Sequence, residues 1–153
     1  MDLFDKCERR SLADEARDKG IYPYFHALES RQDTVVQMEG KRRIMLGSNN
    51  YLGLTTDPAV MEAGRLALER YGTGCSGSRF LNGTLEMHLE LEAELASFLH
   101  KDQAVCFSPG FQSNLGIISA LIGTRDYVIC DRENHASIYD GCKLSYGKML
   151  RYR

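Results

Sequence analysis

The sequence predicts an α/β protein with a mostly parallel sheet covered by helices. Three observations predict it. From residue 103 onward, short apolar runs alternate with helical patterns in the order strand, helix, strand, helix, strand. Parallel neighbours need such a crossover between them, and a helix usually supplies it. The runs "QAVCF" and "DYVIC" are short and apolar, as buried strands are. The stretches between them carry apolar residues at helical spacing, with glycine or proline at their ends.

Taken in order, residues 2–19 read as a polar N-terminal helix ending at Gly20, a usual residue just past a helix. "TVVQM" and "RIML" flank "EGKR" and read as a β-hairpin. The basic run Lys41-Arg42-Arg43 reads as part of a solvated turn. In "DPAVMEAGRLALERYG", Asp57 is a natural cap and Pro58 a natural first helical residue. Val60, Ala63, Leu66, Ala67 and Tyr71 then recur at helical spacing up to Gly72. A glycine-rich loop follows. "TLEMHLELEAELASFLH" is the clearest helix, with Thr84 as its expected cap and Leu85, His88, Leu89, Glu92, Leu95, Ala96 and Leu99 on one face. "QAVCF" is the next strand, "GFQSNLGIISALIG" a helix opened by Pro109-Gly110, "DYVIC" a second buried strand, "HASIYDGCKLSYG" a helix and "KMLRY" a last strand. The chain thus divides into a helix-and-hairpin segment, 1–56, and the start of a sheet domain, 57–153. The last strand runs straight into the final residue with no turn or cap, so a longer protein is expected.

Composition narrows the function classes. A net charge of −2 gives no field for nucleic acid, and no stretch approaches the about 20 apolar residues of a membrane span. The start, "MDLFDKCERR", lacks the apolar centre of a signal peptide, so a cytoplasmic protein is expected, with at most peripheral membrane contact. Five cysteines form no C-x-x-C pair, which argues against a disulfide framework or a structural zinc site. Cys106 and Cys130 sit in strand-like runs where a thiol packs as a small hydrophobe.

Two glycine-bearing segments invite a chemical reading. "GTGCSGSRFLNG" (72–83) fits G-x-G-x-x-G, but a dinucleotide loop must follow a strand and open a helix. Here a helix precedes it, and no Lys-Ser or Lys-Thr follows to make a P-loop. Arg79 and Asn82, with Phe80 and Leu81 between them, mark a tightly folded segment rather than a linker. "FSPGFQSN" (107–114) has the geometry the first loop lacks, a strand before and a helix after. A helix N-terminus offers unpaired N–H groups to a phosphate, and Gly110 allows close approach. Ser108, Ser113 and Asn114 are further candidate partners. Spacing alone leaves an ordinary strand-to-helix turn equally open. His135 lies just past "DYVIC", where ligands of open α/β sheets bind, although a histidine there also suits helix capping. His88 reads as packed on its helix, and His26 and His100 as surface residues.

Five segments in order, "SNNYLGL", "GTGCSGSRFLNGT", "HLELEAELASFL", "FSPGFQSNLG" and "DRENHASIYDG", resemble the α-oxoamine synthases. These are pyridoxal-phosphate enzymes of the aspartate-aminotransferase fold (fold type I). The resemblance covers residues 40–153 well and the N-terminal helix more loosely. It implies that residues 57–153 begin a truncated large cofactor-binding domain. It implies that Gly110 and Phe111 grip the cofactor phosphate through backbone N–H groups, with Asn114 nearby. It implies that His135 stacks on the pyridine ring as the catalytic imidazole, and that Asn50 lies near the substrate. Ser76, Ser78 and Arg79 are implied to line the acyl-CoA side of an active site shared across a homodimer. The implied reaction is a decarboxylative condensation of an amino acid with an acyl-CoA. The loop sequences look most like those of bacterial members that use L-serine and a long-chain acyl-CoA; glycine-using members and a non-catalytic partner subunit are the alternatives. The family's Schiff-base lysine falls beyond Arg153, so the chain alone is expected to be inactive.

Overall fold

The computed structural model describes Asp2 and residues 4–153. Leu3, within the expected first helix, lies outside the described residues. The chain forms two compact units, residues 1–74 and 75–153. The hairpin and the long helix after Asp57 both fall within residues 1–74.

In the first unit, a 3-10 turn at Phe4–Lys6 and a short helix α1 (Leu12–Asp18) replace the single helix expected over 2–19. Ser11 makes the break. Its backbone is extended, its hydroxyl accepts the Asp14 N–H at 3.3 Å, and the Asp14 carboxylate accepts the Ser11 N–H at 2.9 Å. This reciprocal cap starts a new helix instead of continuing an old one. Strands β1 (Val35–Met38) and β2 (Lys41–Ile44) form the hairpin, paired from Val35 with Ile44 to Met38 with Lys41. Glu39 and Gly40 alone make the turn, with φ of 51° and 69°. A two-residue turn with both φ positive matches the twist of the strands it joins. Lys41, Arg42 and Arg43 are therefore in β2 rather than in a turn, and they are solvated.

Helix α2 (Pro58–Tyr71) begins as the sequence indicates: the Asp57 carboxylate accepts the N–H groups of Ala59 at 2.8 Å and Val60 at 3.1 Å. Its apolar stripe stays largely exposed, with only Ala67 and Tyr71 half-buried.

The second unit opens with the glycine loop and helix α3 (Glu86–Phe98). Thr84 is not the cap. Its hydroxyl donates to the Arg79 carbonyl at 2.6 Å, while Nδ1 of His88 accepts the Leu85 N–H at 3.0 Å. His88 thus closes the helix start instead of only packing on its face. Along the expected stripe, Ala96 is buried, and Leu85, His88, Glu92 and Leu95 are half-buried. Leu89 and Leu99 are exposed.

Residues 103–107 are not a strand, contrary to the pattern of "QAVCF". A strand exists only through a ladder, and none of the described residues pairs with this segment. Helix α4 (Gly110–Leu121), strand β3 (Tyr127–Asp131), helix α5 (Ala136–Leu144) and strand β4 (Lys148–Tyr152) complete the unit. β3 and β4 run parallel, from Tyr127 with Lys148 to Asp131 with Tyr152. Helix α5 is the crossover between them. β3 is not buried on both sides as expected: Cys130 is buried, but Ile129 is 72% exposed. Side chains alternate across a strand, and among the described residues only one face is covered.

Helices α4 and α5 pack directly on each other. Gly141 makes this possible, since a Cβ there would stand 3.0 Å from the Asn114 carbonyl and 3.1 Å from the Ile118 side chain. Cys130, Cys142 and Ser137 are buried between these helices and the strands. Burial and the neighbouring Cys130 push the Cys142 thiol up from its ordinary value. Cys106 is half-buried rather than packed in a strand, and all five thiols are free.

Candidate functional site

Two adjacent helix starts carry the candidate site, and they begin differently. Pro109 precedes α4, and no side chain caps it. The Pro109 carbonyl takes the N–H groups of Gln112 and Ser113. The first two donors, on Gly110 and Phe111, have no carbonyl a turn earlier to reach. Nothing lies within 4 Å of the position a Gly110 Cβ would take. An open, uncapped N-terminus with a glycine at its first position is the arrangement a phosphate fits.

Helix α5 is capped by His135, whose Nδ1 accepts the Ser137 N–H at 3.2 Å and lies 2.7 Å from its hydroxyl. Capping and a chemical role are compatible here. Nδ1 faces the helix, while Nε2 makes no hydrogen bond among the described residues. The His135 and Phe111 rings meet edge to face, with centroids 6.2 Å apart at 72°. Nδ2 of Asn114 donates to the Ser137 hydroxyl at 2.8 Å. The structure therefore brings Gly110, Phe111, Asn114 and His135 together through the α4–α5 contact. Ser137 links two of them and was missed from the sequence, where a serine inside a helix start gives no distinguishing signal.

The glycine loop lies beside this site in the same unit and is folded onto itself. The Ser78 carbonyl accepts N–H groups from Leu81, Asn82 and Gly83 at 3.0, 3.2 and 2.9 Å. A Cβ on Gly77 would fall 1.6 Å from Oδ1 of Asn82, and one on Gly83 would fall 1.9 Å from the Gly77 carbonyl. The hydroxyls of Ser76 and Ser78 are on exposed residues.

Arg79 turns inward. Its Nη1 meets Glu92 Oε1 at 2.5 Å and its Nη2 meets Oε2 at 2.9 Å, a bidentate pair. Glu92 Oε1 also accepts the Cys106 N–H at 2.7 Å. The guanidinium and that N–H hold the Glu92 carboxyl down from its ordinary 4.5 to about 2. Glu92 thus takes the backbone donor that a neighbouring strand would take and pins residues 103–107 to α3. Its place on an otherwise apolar helix stripe was the available signal, because an inward carboxylate needs a cation. A cleft of about 790 Å³ lies between the loop, α3 and the start of α4, lined by Arg79, Thr84, His88, Phe107, Ser108 and Gln112 among others.

Asn50 belongs to the first unit. Its Oδ1 accepts the Thr55 N–H at 3.2 Å and its own N–H donates to the Ser48 hydroxyl at 3.0 Å. It lines a separate cleft of about 620 Å³ with Ser48, Tyr51, Leu52 and Val60. His26 and His100 are exposed, as expected. The Glu39 carboxylate beside His26, at 2.8 Å, raises the pKa of that imidazole. Among the described residues no helix is long and apolar enough to cross a membrane.

An open, uncapped helix start stands beside an aromatic-flanked imidazole that follows a parallel strand. Residues 41–153 match the family model described as aminotransferase class I and II, and the chain belongs to that family. More particular likenesses agree with the α-oxoamine synthase resemblance. The serine palmitoyltransferase of Sphingobacterium spiritivorum is 51% identical over 150 residues, which cover 98% of this chain and 38% of that protein. The 8-amino-7-oxononanoate synthase of Geobacter sulfurreducens is 44% identical over 94% of this chain and 37% of that protein. Among solved structures, a serine palmitoyltransferase from S. paucimobilis with a bound PLP–myriocin aldimine superposes with a TM-score of 0.91. It shares 41% identity over 100% of this chain and 39% of that one. The Sphingomonas wittichii serine palmitoyltransferase gives a TM-score of 0.88 at 39% identity, over 100% of this chain and 39% of that one. The chain spans little more than a third of the relatives it matches, and its fold is that of aminotransferase-type enzymes over that span.

Proposed function

We propose that this chain is part of a pyridoxal-phosphate-dependent C-acyltransferase. It condenses L-serine with a long-chain acyl-CoA, releasing carbon dioxide and coenzyme A, and yields the 3-oxo amine that begins sphingolipid synthesis. The observation that carries this reading is the open α4 N-terminus set beside His135. Gly110 and Phe111 N–H groups hold the cofactor phosphate there, and Asn114 supports the turn from within α4. Bound in this place, pyridoxal phosphate supplies an electron sink for negative charge developing at the amino acid's α-carbon. His135 covers the ring and offers its Nε2 edge to the substrate carboxylate. Orientation of this kind contributes to rate by holding the reacting groups in place before reaction.

The remaining assignments follow the same reading. Ser76 and Ser78 are exposed loop hydroxyls on the acyl-CoA side, and Arg79 acts there through the loop it anchors. Asn50 lies on the substrate side. The enzyme is a cytoplasmic homodimer whose active site needs both copies, and its Schiff-base lysine belongs to sequence outside this chain. A glycine-using reaction is the second reading, favoured by the 8-amino-7-oxononanoate synthase likeness.

The test is a titration of the full-length protein, loaded with pyridoxal phosphate, followed by visible absorbance. L-serine is expected to change the cofactor spectrum saturably, with glycine much weaker. A clear response to glycine and none to serine would overturn the serine assignment. No cofactor band at all would overturn the whole reading.

A further inference from the structure

Ser137 is the one buried polar side chain among the described residues, with no exposure to solvent. Its hydrogen bonds can be directed by elimination. The hydroxyl has a single proton and two close neighbours, Asn114 at 2.8 Å and Nδ1 of His135 at 2.7 Å. Either the hydroxyl donates to Nδ1 and accepts from the amide, or it donates to the amide oxygen and accepts from a protonated Nδ1. Heavy-atom positions alone do not distinguish an amide's ends or a ring's tautomer. The Ser137 backbone does distinguish them. Its N–H can only donate, and it points at Nδ1 from 3.2 Å. A protonated Nδ1 would face that donor proton to proton. Nδ1 is therefore the acceptor, the hydroxyl turns its proton to the ring, and Asn114 presents its NH₂. The one proton of the neutral imidazole sits on Nε2, on the other side of the ring from α5.

We propose that Ser137 is a positioning residue: it fixes His135 as the Nε2–H tautomer, so that the ring presents a donor to an anionic group of the substrate. Asn114 ties that setting to the helix whose first N–H groups take the phosphate. The proposal rests on the reading of His135 as a cofactor-covering residue. It goes beyond it by giving the imidazole a direction and naming the two residues that set it. A neighbour that orients the second nitrogen of a histidine commonly decides what the first can do. A cap serving only helix stability needs Nδ1 as acceptor but has no use for the half-buried Asn114 amide behind the hydroxyl.

The experiment uses the full-length protein with ¹⁵N-labelled histidine, the His135 signal being identified by its loss in His135→Gln. In the wild type, Nε2 is expected to carry the proton and Nδ1 to be bare. Ser137→Ala removes the hydroxyl. Asn114→Asp keeps the shape but replaces the donor by an acceptor, which turns the hydroxyl proton away from the ring. Both variants keep the long backbone N–H contact to Nδ1 at 3.2 Å but lose the shorter hydroxyl donor at 2.7 Å. The preference for Nε2–H is therefore expected to weaken toward a mixed tautomer, and the serine KM to rise about tenfold, the size of one lost hydrogen bond. Should Ser137→Ala fail to fold, Asn114→Asp decides. A wild type protonated at Nδ1, or variants whose tautomer and KM stay within about twofold of wild type, would overturn the proposal. Absence of a cofactor band in the wild type would sink the proposed function instead. The tautomer, read in the unloaded protein, would still decide this inference.

Discussion

The loop at 72–83 and the turn at 107–111 both carry glycine, and they use it for opposite ends. In the loop, the space a side chain would fill is already taken by the loop itself: Asn82 fills it at Gly77 and the Gly77 carbonyl fills it at Gly83. At Gly110 that space is empty. In one segment the missing side chain lets the loop close on itself; in the other it leaves open space at a helix start. The G-x-G-x-x-G spacing marks the first, so the more suggestive pattern belongs to the segment with the architectural task.

The comparison is broken most forcefully at Gly83. Gly83→Ala puts a methyl group where backbone already stands, and the loop must open. A loss of about 3 kcal/mol or more in denaturant unfolding is expected, at the upper end for overpacking. A variant as stable as wild type would show that the loop is not closed as described. The next effect concerns the clamp on that loop. Glu92→Gln leaves Arg79 without its counter-charge and is expected to lower the denaturant midpoint at neutral pH. Because the folded Glu92 titrates near 2 rather than 4.5, its contribution is fully present above about 4.5. It is lost as pH falls toward 2. The gap between wild type and variant should therefore close over that window, and a gap independent of pH would refute the clamp. The smallest effect on the fold is at Gly110. Gly110→Ala is expected to keep or slightly raise thermal stability, since alanine is the better helix former. It should weaken pyridoxal-phosphate affinity about tenfold, as the methyl crowds the phosphate. A Gly110→Ala protein that unfolds early, or one that binds the cofactor unchanged, would erase the contrast between the two segments.

Much of the fold is readable where local chemistry and tertiary packing agree. Asp57-Pro58 starts α2, and the hairpin was found with its turn drawn two residues too long, as "EGKR" where Glu39-Gly40 suffice, because caps and tight turns are satisfied by residues next to them in sequence. Reading failed where the partner is distant. Residues 103–107 have a strand's composition, but composition supplies no ladder, and their Cys106 N–H went to a carboxylate from α3. The N-terminal helix was overextended because its polar pattern continues across Ser11, whose reciprocal bond with Asp14 outweighs it. Within the candidate site, the resemblance pointed to Gly110, Phe111, Asn114 and His135, and the structure sets Phe111 against His135 and ties Asn114 to Ser137 beside it. Ser137 gave no signal, because its role lies in what it touches across an element boundary; Glu92 stood out on its apolar stripe, but no spacing named Arg79 and the Cys106 N–H as its partners.

Gly141 carries a consequence for how the site ages under mutation. It is the notch that lets two rods lie flush, one starting at the turn proposed to hold a phosphate and the other at the imidazole. Locked in this way, they act as a single pair of tongs whose tips keep their gap. Any larger residue in the notch would spread the tips without touching a ligand. The variant would look intact by its content of helix and still grip its cofactor badly. The tolerance of the site to change is then set as strictly at the hinge of the tongs as at their points.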